Sequence, residues 1–153
     1  MIVIACDKAG VGYVEKCKEY FKAHDMECEV LLPGDGGAFW YDYPDGAKAV
    51  AKRVADGTAS FGVLICGTGI GMSIAANKVK GVRAALCGDT FSAEMTRRHN
   101  DANILCMGAR VIGEEVMLRI VEAFFSAPYE GVTAEGARHG NRVGKILKME
   151  EEF

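Results

Sequence analysis

The chain alternates between two spacings of apolar residues. Ile2–Cys6, Cys28–Leu32, Phe61–Cys66, Val82–Cys87 and Ile104–Met107 are short apolar runs bounded by polar or glycine-rich segments. Runs of that length read as strands buried on both faces of a sheet. Between them the apolar positions spread out to helical spacing. Tyr13, Val14, Cys17, Tyr20 and Phe21 are separated by Glu15, Lys16, Lys18, Glu19 and Lys22, which leaves one apolar stripe on a charged helix. A second helix starts near Pro44, a residue suited to a first helical turn, and ends near Asp56-Gly57. Met72–Lys78 begins a third. Ser92 is placed to cap a fourth, which carries Met95 and ends near His99. Gly113–Ala127 forms a fifth, with Val116, Ile120, Val121 and Phe124 on one stripe. After Pro128 the chain is polar until Val143, Ile146 and Leu147, which predict a short amphipathic helix.

Strands alternating with helices predict an α/β fold: a Rossmann-like sandwich with a mostly five-stranded parallel sheet and helices on both faces. Crossovers between parallel strands are right-handed. With 153 residues, no internal repeat and no linker, the whole span 1–153 reads as one domain. In such sheets ligands sit beyond the carboxyl ends of the strands. The segments to weigh are therefore Cys6-Asp7-Lys8, Cys66-Gly67-Thr68, Gly88-Asp89 and Gly108-Ala109-Arg110.

Charge narrows the partners. Eighteen basic residues against 21 acidic ones leave −3, with no block of either sign. That argues against nucleic acid or a membrane surface held through bulk charge. The longest uncharged stretch, 57–77, is long enough to cross a bilayer, but its five glycines and several hydroxyls mark strand, loop and helix. The opening Met-Ile-Val-Ile-Ala-Cys-Asp lacks the basic start and long apolar core of a secretory signal. A reducing compartment, the cytoplasm, is expected, with all six cysteines free. No CxxC pair occurs and the three histidines are far apart in sequence, so no metal site is expected.

Several strand ends carry chemistry, each with a plainer alternative. Gly67-Thr68-Gly69-Ile70-Gly71 joins a buried strand to a helix and can aim successive N–H groups at one anion, or it is only a tight turn. It does not fit the nucleotide-binding G-x-G-x-x-G pattern, whose third glycine would fall at Met72. Cys66 ends the strand beside this loop. A thiol facing such N–H groups favours the thiolate and can act as nucleophile or base; otherwise it is a buried core cysteine, as the other five are read. His99 is either structural or a second acid/base at the end of its helix. Arg138 and Arg142 share a helix face, as a phosphate clamp or as a solvated basic surface. Asp7 and Lys8 should point into the crevice, although a strand-end Asp often only caps a turn. A phosphate clamp, an oxyanion cradle, a base and an acid together suit proton abstraction next to a carbonyl, with an enediolate intermediate.

Asp42-Tyr43-Pro44, Ile65-Cys66-Gly67-Thr68-Gly69-Ile70-Gly71, Ala75-Ala76-Asn77-Lys78, Gly81-Val82-Arg83-Ala84, Arg98-His99-Asn100-Asp101-Ala102-Asn103, Gly108 to Gly113 and Arg138-His139-Gly140-Asn141-Arg142-Val143 occur in this order. With these segments the chain resembles the ribose-5-phosphate isomerase B family, whose relatives include galactose-6-phosphate and allose-6-phosphate isomerases. The resemblance implies aldose–ketose isomerisation of a sugar phosphate without a cofactor, with ribose 5-phosphate and ribulose 5-phosphate of the pentose phosphate pathway as first choice. It implies Cys66 as the base, Gly67, Thr68, Gly69, Ile70 and Gly71 as the enediolate cradle, and His99, with Asn100 beside it, as the ring-opening group. Asp7 and Tyr43 are implied as contacts to the sugar, and Arg110, Arg138 and Arg142 as contacts to the phosphate. It also implies a homodimer or a dimer of dimers whose active sites take the His99 and arginine segments from the neighbouring chain. One departure stands out: Lys8 occupies a position where the family usually has a histidine that touches substrate. Residues 33–41, with Trp40 and Tyr41, match no version of the family. A hexose or tetrose phosphate is therefore an alternative substrate. A non-catalytic sugar-phosphate-binding subunit is the alternative role, which retention of Cys66 and His99 disfavours.

Overall fold

The computed structural model describes residues 1–152. Five strands, β1 (Ile2–Cys6), β2 (Cys28–Val30), β3 (Phe61–Cys66), β4 (Ala84–Leu86) and β5 (Ile104–Gly108), form one sheet in the order β2-β1-β3-β5-β4. Every pairing is parallel. The expected α/β sandwich with a five-stranded parallel sheet is the fold observed. Six helices connect and cover the strands: α1 (Val11–Ala23), α2 (Tyr43–Ala55), α3 (Ile70–Ala76), α4 (Thr90–Asn100), α5 (Glu114–Ser126) and α6 (Ala137–Glu152).

The pleat of the strands divides the core in two. Ile2, Ile4 and Cys6 of β1 and Val63 and Ile65 of β3 face one layer, built with Val14, Cys17 and Phe21 of α1 and Met117, Ile120, Val121 and Phe124 of α5. Their neighbours Val3, Ala5, Leu64 and Cys66 face the other, against Ala47, Val50 and Val54 of α2 and Met72 and Ala76 of α3. Period-two alternation within runs that are apolar throughout is what a sheet covered on both faces requires. It also settles which way Cys66 points: toward the α2 and α3 side.

Several boundaries shift by a residue or two from the expectation, and four differences matter for the site. β2 stops at Val30, and Leu32 beyond it is half exposed at the sheet edge. β4 begins only at Ala84 because side chains replace the ladder before it: Asn103 Oδ1 accepts from Arg83 N at 2.8 Å, and Asn77 Oδ1 accepts from Ala84 N at 2.8 Å. The cap of α4 is Asp89, not Ser92. Its carboxylate accepts from Ser92 N at 2.7 Å and from the Ser92 hydroxyl at 2.8 Å. The C-terminal helix is 16 residues rather than a short one, and it already contains Arg138 and Arg142.

The end of α4 is fixed by an ionic knot. Asp101 ends the helix in the left-handed region at φ 48°. Its carboxylate accepts from Arg83 at 2.9 Å and from Arg97 at 2.8 Å. Arg97 is buried, donates also to the Ala102 carbonyl at 2.7 Å, and lies over the Phe61 ring at 4.9 Å. Removing the carboxylate strands a buried guanidinium, a more costly change than loss of a surface pair. Asp101→Ala is expected to cost about 2 kcal/mol, discounted for the partial exposure of Asp101, and to lower Tm by roughly 4–8 °C in a thermal melt. An unchanged Tm would mean that the knot does not support the helix end.

Candidate active site

The strand order reverses between β1 and β3, so a crevice opens beyond their carboxyl ends. Asp7 follows β1 there. Its Oδ1 accepts from Ala9 N at 2.8 Å and caps a short 3-10 turn, Lys8–Gly10. The capping role allowed for Asp7 is thus real. Lys8 lies exposed in that turn. The unmatched segment before α2 is anchored by Trp40, whose backbone N donates to the Cys6 carbonyl at 3.0 Å and whose indole donates to the Leu31 carbonyl at 2.8 Å. It delivers Tyr43 to the start of α2, beside the glycine loop. A Cβ on Gly71 would lie 2.6 Å from the Tyr43 ring, so glycine is what lets the two meet.

Cys66 ends β3 as the last buried residue before the loop, 4% exposed. The backbone N–H of Gly69 donates to its sulfur at 3.2 Å. Gly69 sits at φ +77°, and a Cβ there would lie 2.8 Å from the Met107 carbonyl carbon. Only glycine turns the chain tightly enough to bring that N–H onto the sulfur. Thr68, exposed, accepts from Ile70 N at 3.3 Å. From the end of β5, Arg110 lays its guanidinium over the loop, with Nη1 3.5 Å from where a Gly67 Cβ would be. The Arg110 backbone N donates to the Gly67 carbonyl at 3.0 Å. The Cys66 thiol with the Gly69 N–H on its sulfur, the Tyr43 ring against Gly71 and the Arg110 guanidinium beside Gly67 therefore gather around one loop. The other thiols are held protonated. Burial pushes Cys6 up to about 11 and both Cys17 and Cys87 up to about 12, and it drives Cys106 well above 9.0. Cys28 is also raised by burial.

His99, Asn100, Arg138 and Arg142 form a second group. His99 and Asn100 close α4, and α6 packs against that end through its first turns. The chain brings together two histidines that are forty positions apart in sequence: the His99 and His139 rings stack at 4.0 Å between centroids, 3° from parallel. Glu130 completes the group. Its Oε1 accepts from Arg98 Nε at 2.5 Å, and its Oε2 lies 3.7 Å from His99 Nε2. Arg98 holds the Glu130 carboxyl below its ordinary range. Glu130 and His139 were not singled out from the sequence, because only the fold relates the loop after α5 to the end of α4. One atom from each of His99, Glu130 and His139 falls within 4.8 Å of the others. Yet a cation bound by imidazole lies in the ring plane along the nitrogen lone pair. Two parallel rings cannot satisfy that for one ion, so this trio is not arranged to hold a metal.

The two groups lie at opposite edges of the sheet. Cys66 is level with Gly108 at the carboxyl end of β5, whereas α4 runs back and its last residues precede Ile104, the start of β5. Eleven residues of helix cover roughly 16 Å. Cys66 and His99 thus stand at opposite ends of the strands.

Gly69→Ala tests the cradle. The strained φ and the collision with β5 are expected to cost about 2 kcal/mol in denaturant unfolding, and alkylation of Cys66 by iodoacetamide should slow as the N–H leaves the sulfur. Alkylation at the wild-type rate would show that this N–H does nothing for the thiol.

Comparison with known proteins agrees with this geometry over nearly the whole chain. A family model described as Ribose/Galactose Isomerase matches residues 2–146. Ribose-5-phosphate isomerase B of Escherichia coli (strain K12) is 43% identical over 152 residues, covering 98% of this chain and 96% of that protein. D-erythrulose-4-phosphate isomerase 2 of Mycolicibacterium smegmatis is 40% identical over 138 residues, 90% of this chain and 91% of that one. The crystal structure of ribose-5-phosphate isomerase B from Mycoplasma genitalium with bound ribulose-5-phosphate superimposes with a TM-score of 0.88 at 38% identity, covering 99% of this chain and 97% of that one. The chain therefore belongs to the ribose/galactose isomerase family, whose members are aldose–ketose isomerases.

Proposed function

We propose that this protein interconverts ribose 5-phosphate and ribulose 5-phosphate through an enediolate, with Cys66 as the base. The observation that carries the reading is the Gly69 N–H donated to the Cys66 sulfur at 3.2 Å, inside a loop of further backbone donors. The thiolate takes the proton from C2 of the open aldose. The electron pair moves into an enediolate whose oxygens face the donors of Gly67, Gly69, Ile70 and Gly71 and the Thr68 hydroxyl. Return of the proton to C1, with the hydroxyl proton passing from O2 to O1, gives the ketose. One carbon is oxidised as its neighbour is reduced, so the balance needs no external electron carrier. Asp7, Lys8 and Tyr43 rim the opening and meet the sugar hydroxyls, while Arg110, Arg138 and Arg142 take the phosphate.

The working unit in this reading is a dimer in the cytoplasm, with His99, Asn100, Arg138 and Arg142 of one copy completing the Cys66 site of the other. The separation of these two groups within one chain supports it. So does the apolar rim beside the cradle, where Ile70 is 50%, Leu86 44% and Val111 64% exposed around a groove of about 320 Å³. Exposed apolar surface of that kind marks an interface. Among the described residues no helix is long and apolar enough to cross a membrane. The erythrulose-phosphate relative supports a second reading, a four-carbon substrate, which a turnover panel of phosphorylated tetroses, pentoses and hexoses separates from the first.

Cys66→Ala should lower turnover by roughly 10²–10⁴-fold and abolish solvent deuterium uptake at C1 and C2, with sugar phosphate still bound in calorimetry. Wild-type turnover in that variant would remove Cys66 as base. Mixing Cys66→Ala with His99→Asn chains should restore about a quarter of wild-type activity, since half the dimers are mixed and each holds one whole site. No recovery in verified mixed dimers would mean that each chain carries a complete site.

A further inference from the structure

The group around His99 contains more than the proposed chemistry uses. His139 is 4% exposed, and its Nε2 has no hydrogen-bond partner among the described residues. A buried polar atom without a partner costs stability, so its retention calls for an explanation. Its ring lies flat against His99, the side chain that the proposed function assigns to ring opening. Glu130 is held on two sides: its backbone N donates to the Arg98 carbonyl at 3.0 Å, and its Oε1 receives the Arg98 guanidinium. Arg98 is steadied in turn by Glu94 at 2.7 Å. Oε2 of that carboxylate lies 3.7 Å from His99 Nε2.

We propose that His139 and Glu130 are positioning residues for His99: His139 walls one face of the ring, and Glu130 fixes its rotation from the edge. An imidazole at a helix end has two soft torsions, and reaching into a neighbouring copy's site requires both to be set. The stack restricts tilt and the carboxylate restricts spin. The charges facing the pair are Arg98 from α4, Glu130 from the loop after α5, and Arg138 and Arg142 from α6. Burial, the neighbouring His99 and the two α6 arginines all push His139 below its ordinary range. A flat wall is what the geometry provides, and the unpartnered nitrogen is its cost.

The proposal rests on the reading of His99 as the ring-opening group, and the experiment separates the two. In proton NMR of the full chain without substrate, the His99 ring protons, assigned with His99→Asn, carry the ring-current shift of the stacked neighbour. His139→Ala should remove that shift and His139→Phe should keep most of it. If the His99 signals are the same in wild type and His139→Ala, the stack does not position the ring and the proposal fails, whatever the activity. On ribose 5-phosphate, His139→Ala and Glu130→Gln should each lower kcat roughly ten- to a hundredfold with little change in KM, and His139→Phe should recover most of the loss. On a tetrose 4-phosphate, whose blocked hydroxyl cannot close a ring, both losses should vanish. Equal losses on both sugars, or a His139→Phe as poor as His139→Ala, would also overturn it. A wild-type enzyme that turns over neither sugar would sink the functional reading and leave the ring spectra to decide the positioning.

Discussion

All five strands point the same way, and almost everything about this molecule's chemistry follows from that. A parallel sheet gathers its strand ends at one edge and its helix ends at the other. Whatever follows β1, β3 and β5 directly shares one crevice: Asp7, the Cys66 loop and Arg110. Whatever closes a returning helix is carried to the far edge, as His99 and Asn100 are by α4. The direction of the chain, more than any single contact, divides the residues of interest into two groups. No loop movement within a domain of this kind would close a gap of roughly 16 Å spanned by a packed helix. In the function proposed above, a second copy unites the groups.

Much of this was legible before any coordinates. Short apolar runs at helical intervals define the sheet because buried strands tolerate little else, and β1 and β3 fall where the runs do. The glycine loop was legible because Gly69 and Gly71 serve a backbone need that other residues cannot meet. What stayed hidden depends on relations between distant segments. Nothing near Glu130 or His139 in sequence links them to His99, and the two rings meet only because α6 folds back on the end of α4. The capping residue of α4 was missed for a smaller reason. Asp89 and Ser92 both suit the role, and the outcome turns on which backbone turns first. β4 was drawn too long because Val82 and Arg83 look like strand, while side chains of Asn77 and Asn103 take the hydrogen bonds that a strand would make.

The recognisable segments prove to be of two kinds. Gly67 to Gly71 and Tyr43 line the crevice, and the proposed function gives them a direct chemical use. Asn77, Arg83, Asp101 and Asn103 do not face it. Their side chains bond backbone groups around the start of β4 and the end of α4: Asn103 Nδ2 donates to the Gly81 carbonyl at 2.9 Å, and Arg83 Nε donates to the Asp101 carbonyl at 2.8 Å. Such residues look like candidates for catalysis because they are polar and clustered. Their work is to hold α4 at a fixed height against the sheet. Since α4 carries His99, an error there would move the ring relative to any partner it must reach.

The same logic explains the unequal treatment of charge in the Arg97-Arg98-His99-Asn100-Asp101 segment. Arg97 is turned inward, buried over Phe61 and neutralised by Asp101. Arg98 is turned outward and spends its donors on Glu94 and Glu130. Both guanidiniums are thus paired on their own side, and among the described residues Arg138 and Arg142 on α6 have no ion-pair partner. A helix that presented all of its positive charge would draw anions indiscriminately along its length. Pairing two arginines and leaving two on a neighbouring helix confines the attraction to the face beside His99, where a phosphorylated sugar bound in another copy would bring its charge.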